Sequence, residues 1–404
     1  MNKRFFALDG IRGYAAFSVL IYHAILIYDP GLIRRVLNLP IQSIPIAYEK
    51  LVKIPLVIFD GNAAVLTFFT LSGLVLSIAL RKSLLHNFSL LSLEFALKRI
   101  VRIYPALIVS LVIFWASRVL LNRLAPNVFS VYSLKNLFDN ALLLNPIING
   151  ATWTLQVEIL AIPFILLCFF LQKRFGLKVL VILLFYLILA NDNSGLQIPI
   201  IPTFLYQSFP SFVCGFLIVS EQTEQFFITI AKDSRFCMIT FCSFFIVRLT
   251  VSPLSLSSIL IQLFCISIFL GGIYYRQFTP LLKILESRPS LYFGKISYSF
   301  YLNNVMFLFI VYPIFLTNFH PKAHPLEFGL LTFAVCVVPA IILSHITEKY
   351  IEQPSIRFGK AITNFFSVFE TKYLTRSILN INVSMGENLQ DVAISDMEKL
   401  EERN

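Results

Sequence analysis

The chain has 404 residues, of which 57% are hydrophobic and only 14% charged, with a mean hydropathy of +0.78. Soluble domains carry about 25% charged residues, so the composition excludes an ordinary water-soluble fold and points to a membrane protein. The net charge of +11 does not indicate nucleic acid, because the basic residues are scattered through short loops between apolar runs, where charge sets topology.

Six cysteines fall mostly inside apolar runs, among them Cys168, Cys214, Cys265 and Cys336, with no metal-ligand spacing. They are read as inert buried thiols, with neither a metal site nor a disulfide framework. Apolar runs long enough to cross about 30 Å of hydrocarbon are predicted at 6–28, 54–80, 104–122, 154–172, 177–191, 198–219, 236–250, 254–275, 295–317 and 326–346. The fold class is therefore all-α, a polytopic transmembrane helical bundle of about ten spans. With the N-terminus placed in the cytoplasm, basic residues on the inner segments (Arg81, Lys82, Lys98, Arg99 and Arg102 among them) outnumber those on the outer ones. That bias predicts a multi-pass protein of the cell (inner) membrane with both termini cytoplasmic.

The first run opens with Lys3-Arg4 and carries Asp9, Arg12 and His23, so it is a retained anchor and not a cleavable leader. Arg12 and His23 are eleven residues apart. On a helix that spacing returns to within roughly 20° of the same face, about 16 Å further along. The two side chains then share a stripe that must face protein or a wet cavity, since lipid solvates neither. They mark function, or else a snorkelling Arg and a His satisfied between helices. Asp9, three residues before Arg12, is placed to pair with it.

The second run contains Phe68-Phe69-Thr70-Leu71-Ser72-Gly73, whose small residues read first as a packing notch. At the inner end of the third run stands Lys98-Arg99-Ile100-Val101-Arg102-Ile103-Tyr104-Pro105. Arg99 and Arg102 share a helix face there. Two guanidiniums at a membrane entrance suit a multiply anionic ligand, or else supply ordinary positive-inside charge. The fourth run opens with Ala151-Thr152-Trp153-Thr154-Leu155-Gln156-Val157-Glu158. Trp153 reads as an outer interface anchor, which puts Glu158 about 7–8 Å deeper, level with His23. A carboxylate at that depth could orient the imidazole; the alternative is a structural pair with an outer-loop cation. In the ninth run Ser297, Tyr301 and Asn304 form a polar stripe, and after the tenth come Glu352 and Pro354. Residues 1–360 make one membrane domain. Residues 361–404 read as a polar cytoplasmic tail, partly disordered, acid-rich from Asp391 to Asn404.

Taken together and in this order, these stretches resemble the integral-membrane acyltransferases of acyltransferase family 3, over about residues 4–360. The markers are Leu-Asp-Gly-x-Arg-Gly with a His eleven residues after the Arg, Phe-Phe-x-Leu-Ser-Gly, Arg-x-x-Arg-x-x-Pro, Trp-Thr-Leu-x-x-Glu, Gly-x-x-Ser-Tyr-x-x-Tyr-Leu and Glu-x-Pro. The sequence departs from the family at Ala64 (commonly Gly), Ile162 (often aromatic) and Asn304 (commonly His), which removes any catalytic role from position 304. The hydrolase-like extracellular domain fused to some relatives is not expected here. The resemblance implies an acyl-CoA donor, usually acetyl-CoA, on the cytoplasmic side, and the hydroxyl of a surface glycan or lipid-linked sugar as acceptor. It implies that Arg12 and His23 are essential, with Glu158, Arg99 and Arg102 also functional. In that reading His23 is the general base, or carries the acyl group transiently, and Glu158 orients it. Arg99 and Arg102 hold the CoA phosphates, and Arg12 binds the donor or stabilises developing charge. The competing expectation is a transporter or flippase of a glycan or lipid-linked intermediate.

Overall fold

The computed structural model describes residues 6–83, 85–126, 128–129, 131–252 and 255–370. Its α-helices in chain order are α1 (Phe6–Leu26), α2 (Ala47–Ile58), α3 (Gly61–Arg81), α4 (Phe88–Leu124), α5 (Leu134–Ala141), α6 (Trp153–Phe175) and α7 (Leu177–Asp192). There follow α8 (Thr203–Ile218), α9 (Glu221–Lys232), α10 (Ser234–Thr250), α11 (Leu256–Tyr274), α12 (Thr279–Leu285), α13 (Arg288–Asn318) and α14 (Pro325–Thr347). The described residues hold no strand, and the fold is an all-helical bundle. Each of the ten apolar runs falls largely on helix. By length and composition, six helical segments of the described residues could cross a membrane. A seventh is added if α8 and α9, bent by 88° at their junction, form one broken span. The expectation of about ten spans differs from this count at the shorter or more polar helices. α1 is long enough at 21 residues, but Asp9, Arg12 and His23 dilute its apolar character; α7 has only 16 residues and α10 only 17.

α1 is the hub, packed on α13, α14 and α3. It runs parallel to α13: Phe17 stacks on Phe300 with centroids 4.8 Å apart, and Tyr28 meets Tyr312 nearer the other end. Glycines allow the approach. A Cβ on Gly294 would come within 2.3 Å of the Asp9 carbonyl oxygen, and one on Gly13 within 2.9 Å of the Gly294 nitrogen. Two of the sequence motifs are thus the two halves of one backbone contact, which sets Asp9 and Arg12 beside the first turns of α13. α1 is antiparallel to α3, since Tyr22 packs against Gly61 while Leu8 and Ile11 cluster with Leu71 and Leu74. The Leu71-Ser72-Gly73 notch is a packing device: a Cβ on Gly73 would strike the Phe212 carbonyl of α8, and one on Gly215 of α8 would strike the Thr70 carbonyl.

Three departures from the sequence reading position the site. The run 54–80 is two helices, broken before Asp60, whose side chain caps α3 by accepting from the amides of Asn62 (2.9 Å) and Ala63 (3.2 Å). α4 begins at Phe88, so Arg99 and Arg102 lie well inside a helix and not at the edge of a loop. Arg99 and Arg102 interrupt the apolar run in sequence because both line an internal cavity.

The third departure is α6, which starts deep in the bundle: Trp153 meets Phe69 edge-on at 6.2 Å, and Phe69 is about 12 Å along α3 from Gly61. A fully buried amide knot holds the preceding segment there. Asn140 accepts from the amides of Ile148 (3.1 Å) and Asn149 (3.0 Å) and donates to Thr152 Oγ1 (2.7 Å); Asn149 donates to the Leu302 carbonyl (2.8 Å). These bonds satisfy backbone groups that lipid would leave unpaired.

After α14 the chain makes a π turn at Glu348–Glu352 and continues as helix to residue 370. Glu370 there accepts from the backbone amides of His86 (3.0 Å) and Asn87 (2.7 Å), just before α4. The expected tail boundary at 360 thus falls within a helix, and residues 371–404 lie outside the described residues.

Candidate active site

A cavity of about 320 Å³ lies among α1, α3, α4, α6, α13 and the turn after α14. Four cations (Arg12, Arg99, Arg102 and Lys295) and three carboxylates (Asp9, Glu158 and Glu352) line it. Such a concentration inside an apolar bundle is costly unless charges are paired or serve a ligand.

Most are paired. Arg12 Nη1 donates to Asp9 Oδ1 at 3.0 Å, as the spacing predicted. Arg99 Nη2 donates to Glu158 Oε2 at 2.8 Å and reaches Ser72 Oγ at 3.4 Å. Lys295 Nζ stands 3.2 Å from Glu348, and Glu352 accepts from Ser299 Oγ at 3.2 Å. Arg102 differs. It is exposed to the cavity, and among the described residues no carboxylate lies within salt-bridge distance of it. Desolvation penalises bringing a carboxylate to an already satisfied cation, whereas an unpaired guanidinium offers a fork to phosphate oxygens. The cavity walls carry hydroxyls too. Tyr298 Oη donates to the Ile103 carbonyl (2.9 Å), and Tyr301 Oη accepts from Thr154 Oγ1 (3.1 Å).

The structure therefore brings together four of the five candidate residues, Arg12, Arg99, Arg102 and Glu158. His23 stands apart, exposed near the far end of α1, one residue beyond Tyr22 and level with Gly61. It does not line this cavity, and the described residues give its ring no hydrogen bond, only the Tyr22 ring at 5.4 Å. The expected carboxylate–imidazole contact is replaced by the Glu158–Arg99 pair. The physical reason is the buried start of α6: with Trp153 against Phe69 instead of at an interface, Glu158 falls level with Ser72 and Arg99. Asn304 is fully buried, and among the described residues its amide has no hydrogen-bond partner. Neither it nor His23 belongs to the charged wall.

Sequence reasoning missed Lys295, Tyr298 and Glu352 as cavity residues, although all three stand in or beside the motifs. It also missed the Asn140–Asn149–Thr152 knot. The available signal was two asparagines and a threonine flanking an apolar stretch just ahead of Trp153.

A second cavity of about 410 Å³ lies across α3, among α6, α7, α8, α10 and α11. Val65 and Phe69 line both cavities, and Trp153 faces the second while Thr154 faces the first.

Bundle and buried charges define a polytopic helical membrane protein with an internal polar chamber. The chain belongs to the acyltransferase family 3 group: the model for that acyltransferase domain matches residues 5–345. It is thus a membrane acyltransferase. No curated protein and no solved structure matches the chain.

Proposed function

We propose that the protein moves an acyl group, acetyl in the first instance, from acyl-CoA to a hydroxyl of a surface glycan or lipid-linked sugar. The observation that carries this reading is Arg102, an exposed guanidinium with no carboxylate at salt-bridge distance among the described residues, in a chamber whose other cations Arg12, Arg99 and Lys295 are paired. It is the group suited to a CoA phosphate, and Arg12 can add to it with Asp9 alongside. Arg99 serves by holding Glu158 and not by gripping the donor. The topogenic charge puts the Arg12 end in the cytoplasm, where acyl-CoA is made, and the His23 end outside. The membrane is the cell (inner) membrane, and the termini are cytoplasmic.

A hydroxyl is far too weak an acid to ionise unaided near neutral pH, so it needs a positioned base. His23 takes its proton as the oxygen attacks the thioester carbonyl; the carbon–sulfur bond then breaks, the imidazolium gives up that proton, and CoA leaves as the thiol. Arg12 and the Glu158–Arg99 pair shape the chamber along which the thioester reaches the reacting hydroxyl.

The test is acyl transfer from radiolabelled acetyl-CoA in reconstituted membranes, with mass spectrometry of surface glycans from cells with and without the protein. An acetyl mass lost with the protein, and CoA released with it, is the expected result. A changed amount of exported glycan with unchanged acetyl content would support a transporter instead.

A further inference from the structure

We infer that the second cavity is a binding site for a neutral saccharide. The proposed acyl transfer supplies the role of that saccharide as acceptor, whereas the saccharide chemistry itself stands on the lining.

Amide side chains dominate the polar wall: Asn62, Asn191, Gln207 and Gln262. Each amide offers both donors and an acceptor, which matches hydroxyl groups that do the same. Trp153, still 37% exposed, presents an aromatic surface at the wall shared with the charged chamber. Such a ring receives the apolar C–H face of a sugar while the amides hold its edge.

Two buried polar atoms of this wall, Asn191 Oδ1 and Arg248 Nε, have no hydrogen-bond partner among the described residues. Leaving such groups unsatisfied is unfavourable. One needs a donor and the other an acceptor, and a hydroxyl supplies either. Arg248 is itself only 3% exposed.

Charge excludes the competing ligand. Arg248 is the one cation on this wall, and its terminal nitrogen is held by Asp60. Asp192 adds a negative charge at the margin. A phosphate-rich donor finds no unpaired guanidinium here, in contrast to Arg102. A volume of about 410 Å³ is of the size that ligand pockets have. The position fits the use as well. The cavity runs along α3 from Asn62, at the His23 end, to Val65 and Phe69, which also line the charged chamber.

The chain has two tryptophans, Trp115 and Trp153, so the Trp115→Phe protein carries Trp153 as its sole indole reporter. That protein, in nanodiscs, is titrated with neutral oligosaccharides released by mild acid from the surface glycans of the producing cells and de-esterified with mild alkali. We expect a saturable change in Trp153 emission. Asn191→Ala and Gln207→Ala should weaken it by about tenfold each, roughly what one lost hydrogen bond to a ligand gives. Binding of CoA to the same samples, followed calorimetrically, should be unchanged, which shows that the variants are folded. No saturable change in the Trp115→Phe protein, or a change that survives undiminished in both variants, overturns the site. Saccharide binding without CoA binding leaves this site standing and removes the donor reading instead.

Discussion

The two cavities lie back to back across Val65 and Phe69 and manage charge in opposite ways. The charged chamber holds four cations and leaves Arg102 unpaired; the amide-lined one holds a single cation and locks it to Asp60. Total charge matters less than which charge remains free. A paired buried cation is part of the scaffold, while an unpaired one is an invitation to an anion. In the function proposed above, that difference separates a place for a phosphorylated donor from a place for a neutral acceptor.

Several substitutions can break or sharpen that contrast. The largest effect is expected from His23→Ala. Loss of a general base typically costs about 10²–10⁴-fold in turnover. Because His23 lies outside the charged chamber, CoA affinity should stay the same; near-normal turnover in the purified variant would make it a packing residue. Next comes Arg99→Met, which strands Glu158 in the buried wall. Removing one partner of such a pair costs about 3–5 kcal/mol of stability, to be read as a fall in the thermal midpoint. Glu158→Gln with Arg99→Met should recover much of that loss, and the double-mutant cycle measures the coupling.

Arg102→Ala should leave the fold intact and raise the KM for acetyl-CoA by about 10–100-fold, the value of a charge-assisted hydrogen bond or two. Added salt should mimic it in the wild type by screening. An unchanged KM would return Arg102 to topogenic charge and erase the contrast between the cavities. Gly215→Ala tests the wall itself. Its Cβ would press on α3 at Thr70, at a cost of about 1–3 kcal/mol, and both ligands should be disturbed together. The smallest effect, below about 1 kcal/mol, is expected for Arg276→Ala, whose exposed pair with Glu286 touches neither cavity.

Much of this was legible in the sequence. Hydropathy marks the spans that carry most of the cavity residues, because a membrane span has a strong one-dimensional signature, but it does not mark the turn and helix after α14 that bring Glu352, Gln353 and Ile356 to the charged chamber. The i,i+3 spacing found the Asp9–Arg12 pair and the shared face of Arg99 and Arg102. The motifs named four residues that the fold gathers around one chamber. What failed was depth. Residue type alone makes Trp153 an interface anchor, but the Asn140–Asn149–Thr152 knot draws its helix start into the bundle. That one displacement moves Glu158 from His23 to Arg99. The early part of α4 escapes for a related reason: Arg99 and Arg102 face a cavity, and hydropathy cannot tell a polar interior face from a loop. Partner choice among cations was likewise out of reach, since the freedom of Arg102 depends on how Asp9, Glu158, Glu348 and Glu352 are distributed in three dimensions.

The division of labour between the cavities is tested most directly by an experimental structure of the protein in nanodiscs with CoA bound. CoA phosphate oxygens within hydrogen-bonding reach of the Arg102 guanidinium, with the pantetheine arm directed at Val65 and Phe69, is the predicted result. CoA seated in the amide-lined cavity beside Trp153, or bound elsewhere with the Arg102 chamber empty, would contradict it.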